Sequence, residues 1–100
     1  MAFIKKFDGF DWDAGNLGKC QKHGLSIEAI EDVLKRKPPI APDERHSGFE
    51  PRFIAAGRHA NGRPVFVAFT LRRRAGRLLL RPISARFMHE KEAKRYDDQA

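Results

Sequence analysis

Pro64-Val65-Phe66-Val67-Ala68-Phe69-Thr70-Leu71-Arg72 is apolar on both of its alternating sets of positions, Val65, Val67, Phe69 and Leu71 on one side and Phe66, Ala68 and Thr70 on the other. A strand shows successive side chains to opposite faces, so a run that is apolar on both belongs in the middle of a sheet. Upstream, Arg52 to His59 reads as a second strand, joined to the first at Asn61-Gly62, a pair that tolerates the positive φ angles of a tight hairpin. Downstream, after a turn at Arg74 to Gly76, Leu78 to Ser84 reads as a third. Pro82 interrupts it, and because proline has no N–H for the ladder it predicts a bulge or an unpaired position.

Outward from this sheet the periodicity changes. Phe7 to Trp12 alternates aromatic with acidic or small residues and predicts a short first strand. Asp13 is placed to cap a helix over Ala14 to His23, whose Gly15 and Gly18 each cost about 1 kcal/mol relative to alanine, so that packing has to hold it. Gly24 reads as its stop. Ser26 caps a second helix, Ile27 to about Leu34, with Ile27, Ile30 and Leu34 on one face and Glu28, Glu31 and Asp32 on the others. Lys35 to Gly48 holds Pro38, Pro39 and Pro42 and reads as a surface loop. Phe87 or Met88 through Tyr96 predicts a terminal helix too short to stand alone. The order β-α-α-β-β-β-α describes an α+β fold, with helices packed on one face of a small antiparallel sheet.

One hundred residues, 41% of them hydrophobic, suit one core, so residues 1–100 read as one domain. No apolar run approaches the roughly 20 residues of a membrane span, and Met1 to Trp12 lacks the apolar centre of a signal peptide. A lone cysteine, Cys20, forms no intramolecular disulfide; it reads as a structural residue in a reducing compartment, and the expected location is the cytoplasm. The net charge of +7 is unevenly spread: residues 1–50 carry eight Lys or Arg against nine Asp or Glu, residues 51–100 twelve against four. Ten of those twelve cations are arginine, whose planar fork suits phosphate and carboxylate, so the expected partner is polyanionic, either nucleic acid or an acidic protein. A membrane surface fits less well, since no helix pairs a large apolar face with a basic one.

Four stretches, taken in order, resemble the BrnT family of toxins over nearly the whole chain. They are Phe10-Asp11-Trp12-Asp13 with Lys19-Cys20-Gln21-Lys22-His23-Gly24, then Arg52-Phe53-Ile54-Ala55-Ala56-Gly57-Arg58, then Val65 to Arg72, and last Ile83-Ser84-Ala85-Arg86 continued by Met88 to Glu92 and Arg95-Tyr96. The resemblance implies a RelE-like fold and a ribonuclease that arrests growth. It also implies a BrnA-like antitoxin that binds the toxin, two toxins on an antitoxin dimer. The spacing from Trp12-Asp13 to Lys22-His23 is one residue shorter than in many members, and Cys20-Gln21 replaces an asparagine and an apolar residue, which rotates Lys22 and His23 relative to the family pattern.

Metal-free RNA cleavage needs a base for the 2′-hydroxyl, an acid for the departing oxygen and cations for the charged phosphorane. Imidazole titrates near neutrality, which singles out His23 and His89. Lys22 or Tyr96 can substitute if its pKa is lowered, and Arg86 joins His23, Lys22 and Tyr96 in the candidate catalytic set. Arg58, Arg72 and Arg86 fall in the resembling stretches and are the leading phosphate contacts; Arg73, Arg74 and His89 complete the RNA-binding set. No Asp, Glu and His cluster has metal-ligand spacing, so neither metal nor other cofactor is expected. Each candidate has a plainer reading: His23 can close a helix C-terminus, His89 can be a surface residue, and Arg72-Arg73-Arg74 can be a solvated strand end. The arginine run reads as a binding surface because no acid is near it in sequence. Trp12 reads as a packing residue, Glu90 and Glu92 as partners of Lys91, Lys94 and Arg95 on their own helix, and His46 and His59 as carrying no role. Two other functions stay open: a non-catalytic module that binds nucleic acid or antitoxin, and a toxin directed at a protein such as gyrase.

Overall fold

A computed structural model describes residues 6–46 and 48–97; the first five residues of the signal-peptide reading, and Ser47 in the predicted loop, lie outside them. The central run forms β4 (Pro64–Arg74), flanked by β3 (Phe53–Arg58) and β5 (Arg77–Phe87), and β1 (Gly9–Phe10) and β2 (Ile40–Pro42) are the edges of a sheet ordered β1-β5-β4-β3-β2. With helices α1 (Leu17–Gln21), α2 (Ile27–Lys35) and α3 (Glu90–Asp97), the class is α+β, as expected. β4 is indeed central: Val65, Val67 and Phe69 are fully buried on one face, and Ala68 and Thr70 nearly so on the other. Among the described residues no helix is long and apolar enough to cross a membrane.

The hairpins form where turn chemistry placed them. β3 and β4 meet through His59–Gly62, with Gly62 at φ 88° and its N–H donating to the His59 carbonyl at 2.8 Å. β4 and β5 meet through Ala75 and Gly76, both at positive φ (52° and 77°), as a two-residue turn requires when its twist matches the strands. The bulge lies beside Pro82: Phe69 faces Pro82 and Ala68 faces Ser84, leaving Ile83 unopposed.

Four expectations are corrected. The sheet is mixed, because β1 runs parallel to β5 with Gly9 opposite Leu79 and Phe10 opposite Leu80. The predicted loop contains β2, antiparallel to β3, with Ile40 opposite Ala55; an edge strand tolerates Pro42, which is why prolines alone misread it. The first helix is only five residues long and starts after Asn16, not Asp13. Gly15 weakens the turn before it, and the Asp13 carboxylate instead accepts from the Gly15 N–H at 2.8 Å. The buried Asn16 side chain donates to the Asp11 and Pro82 carbonyls at 3.0 and 2.8 Å and accepts from the Asp13 N–H at 2.9 Å, which pins this loop to the bulge. Finally, the helices occupy both faces of the sheet rather than one.

One face is covered by α1 and α2, whose Cys20, Ile30, Val33 and Leu34, with Leu25 between them, join Ala55, Val65, Val67, Phe69 and Leu80 in one core. Ser26 caps α2 as its composition predicts, its hydroxyl accepting from the Ala29 N–H at 3.1 Å. Trp12 packs at the margin of this core and donates from Nε1 to Glu31 at 2.9 Å. Burial pushes the Cys20 thiol up to about 11, so it stays protonated and structural. Gly57 lets α2 approach the sheet, for a Cβ there would lie 2.7 Å from Val33 Cγ1 and 3.2 Å from Pro38 Cβ. Gly57→Ala is therefore expected to cost about 1–3 kcal/mol through overpacking, read as a lowered urea midpoint with an unchanged slope.

Candidate functional site

The second face of the sheet is assembled by strand parity. Phe66 on β4 stands opposite Arg86 on β5 and Ala56 on β3, and Ala68 opposite Ser84 and Ile54, so these side chains share that face. α3 covers one end of it. The Tyr96 ring meets Phe66 edge to face at 6.4 Å, and buried Ala93 seats the helix. Beyond α3 lies a groove of about 160 Å³ lined by Asp43, His46, Arg52, Phe66, Ala68 and Ser84.

The loop between β2 and β3 forms one wall of the groove. It is closed at its base by the Asp43 N–H donating to the Arg52 carbonyl at 2.8 Å, and it is held to the sheet by the Thr70 hydroxyl donating to the Pro51 carbonyl at 2.7 Å. Within it His46 Nδ1 lies 3.2 and 3.0 Å from the two Asp43 carboxylate oxygens. The Asp43 side chain is 11% exposed and that of His46 64%, so a sheltered carboxylate orients an accessible ring.

Arg86 is the best-defined cation of this face. Its guanidinium stacks 4.5 Å from the Phe66 ring centroid and pairs in a fork with both Glu92 oxygens at 2.9 and 2.8 Å. Those hydrogen bonds hold the Glu92 carboxyl below its usual range and raise Arg86. Tyr96 is raised by burial and then by the Glu92 charge, so it is held as a neutral phenol. A role as a base needed a lowered pKa, and the shift runs the other way.

The expectation that the arginines have no acid nearby is overturned, because carboxylates distant in sequence reach them. Arg58 pairs with Glu90 at 2.9 Å, Arg72 with Glu50 at 3.0 Å and Arg74 with Asp11 at 3.2 Å. Arg81, 12% exposed, lies 2.9 Å from Asp13 and 3.5 Å from Asp11. Glu90 and Glu92 thus bind Arg58 and Arg86 across elements rather than cations of their own helix. The fold joins Arg86, Tyr96 and Arg58 near α3 but does not add Lys22 and His23, which are exposed just past α1 in the layer on the other face. Arg73 is exposed near the β4 tip, and His89 is exposed at the start of α3 beside Lys91, Glu92 and Arg95. The sequence reading missed His46, Asp43, Arg52 and Phe66. An Asp-x-x-His spacing in a turn was the available signal, hidden by the prolines before it.

A family profile described as the ribonuclease toxin, BrnT, of type II toxin-antitoxin systems matches residues 12–92. The chain belongs to the BrnT family. No curated protein is matched. Membership makes it a ribonuclease toxin with RNA as its target and an antitoxin as its partner. The matched span runs from Trp12 to Glu92 and so includes the groove loop, all of β3, β4 and β5, and the Arg86–Glu92 pair. Among the described residues no three His, Cys, Asp or Glu side chains are grouped to hold a metal ion.

Proposed function

We propose that this BrnT chain cuts RNA without a metal, as an endoribonuclease working on the α3 face of the sheet. In this reading the 2′-oxygen attacks phosphorus, forming an O2′–P bond and breaking the P–O5′ bond. Arg86 stabilises the negative charge on the phosphorane oxygens, and Arg58, paired with Glu90 on the other flank of α3, binds a flanking phosphate. The neutral phenol of Tyr96 gives its proton to the departing 5′-oxygen. Arg72, Arg73, Arg74 and His89 bind flanking phosphates. Lys22 and His23, on the opposite layer, fall outside this step. The toxin acts in the cytoplasm and arrests growth until a BrnA-like antitoxin binds it, two toxins to an antitoxin dimer.

The observation that carries the reading is the fork of Arg86 around Glu92 beside Tyr96, with the carboxylate occupying the position suited to a phosphate. The test is incubation of purified protein with end-labelled RNA in EDTA, with and without antitoxin. Fragments ending in 2′,3′-cyclic phosphate and 5′-hydroxyl, blocked by antitoxin, are expected. RNA left intact in EDTA but cut when magnesium is restored would overturn the metal-free step. RNA intact under both conditions would overturn cutting altogether and favour a binding module or a protein-directed toxin.

A further inference from the structure

The step above lacks a group to take the 2′-hydroxyl proton, and of the four histidines only one is built for it. His59 uses Nδ1 to accept from the Asn61 N–H at 2.9 Å and packs its ring against Phe87, as a turn residue does. His23 and His89 are exposed outside the groove. His46 lines the groove, and its Nδ1 faces the Asp43 carboxylate.

We propose that His46 is the general base of RNA cleavage and that Asp43 is its positioning residue. The inference rests on the reading that the chain cuts RNA on this face. An Nδ1–H donated to Asp43 fixes the tautomer that leaves the lone pair on Nε2, and Nε2 carries no hydrogen bond among the described residues. The backbone supports this geometry, since the His46 N–H donates to the Asp43 carbonyl at 3.3 Å and the Asp43 N–H to the Arg52 carbonyl at 2.8 Å. The turn therefore carries dyad and groove wall as one unit.

The surroundings suit a phosphodiester. Arg52 lines the same groove, Phe66 forms its floor beneath the Arg86 guanidinium, and Tyr96 is near enough to Asp43 for their charges to couple. In the completed step Nε2 takes the 2′-hydroxyl proton as the O2′–P bond forms and P–O5′ breaks. Tyr96 supplies a proton to the 5′-oxygen, and the imidazolium then returns its proton to the phenolate through solvent, so neither group is consumed. An ion pair serving only stability would not require its imidazole to line a groove.

The deciding experiment is single-turnover cleavage by the parent, His46→Ala, Asp43→Asn and His23→Ala. Affinity is measured separately on a 2′-O-methyl RNA that cannot be cut. His46→Ala is expected to slow cutting about 10²–10⁴-fold while affinity changes less than about threefold, and added imidazole is expected to restore part of the rate. Asp43→Asn is expected to slow it about tenfold or more, through the wrong tautomer. Cutting by His46→Ala at the parent's rate, a rate loss matched by an equal affinity loss, or a loss carried by His23→Ala instead would each overturn the assignment while the parent still cuts. A parent that leaves the RNA whole overturns the cutting reading, and this inference with it.

Discussion

RNA cleavage by the Arg86→Ala variant is expected to fall about 10²–10³-fold, the usual cost of removing one donor aimed at transition-state charge. The Phe66 ring under its guanidinium keeps Arg86 aimed into this face while an incoming phosphate takes the place of the Glu92 carboxylate in its fork. The fold should survive the change, because an ion pair whose side chains are 41% and 30% exposed contributes at most about 1 kcal/mol. Lysine at this position is expected to rescue poorly, having a point charge in place of a planar fork. Single-turnover rates, with affinity for 2′-O-methyl RNA measured alongside, check this. A parent-like rate in Arg86→Ala would remove the α3 face from consideration as the cutting site.

Phe69→Ala is expected to cost about 3–5 kcal/mol, a large share of the roughly 5–15 kcal/mol that holds a domain together. Phe69 is fully buried, lies on the α1–α2 face of the central strand, stacks on Phe53 at 5.6 Å and stands opposite Pro82 at the bulge. Removing its ring would leave a cavity in the close-packed core where two strands and the bulge meet. For a chain of this size the midpoint of thermal unfolding should fall by roughly 15–30 °C. Calorimetry or far-UV circular dichroism would show it. A fall of only a few degrees would mean that the core closes around the gap.

The central strand was legible because Val65 to Leu71 allows only one environment, a strand covered on both sides. The hairpins were legible because Asn61-Gly62 and Ala75-Gly76 are turn chemistry, and the second helix because Ser26 precedes an amphipathic run. The bulge followed from a proline that cannot donate. The edges were less legible. Two residues of β1 and three of β2 carry almost no periodicity, and their pairing depends on which backbone edge the sheet leaves open. The first helix was over-read because Asp13 is a good cap in isolation, whereas Arg81 and the Gly15 N–H take its carboxylate in the folded chain.

The candidate site divides in the same way. Arg86 and Tyr96 were picked out by the family resemblance, and the fold placed them together. The acids that pair with Arg72, Arg74 and Arg81 lie far away in the chain: Asp11 and Asp13 reach β4 and β5 from just past β1, which the fold lays beside β5, and Glu50 reaches Arg72 from a loop. Composition counts charge but carries no distances, so a cationic half read as a bare surface proved to be laced with ion pairs. His46 looked idle in a proline-rich loop, since nothing local shows that the loop folds back against Phe66 and Ser84. Sequence alone determined the α+β class, the central hairpins, the cationic bias and the family, because each rests on residue type and short spacing. Tertiary structure alone decided the mixed sheet, the separation of His23 from Arg86 and the meeting of His46 with the groove, because these depend on which faces and edges long-range pairing brings together.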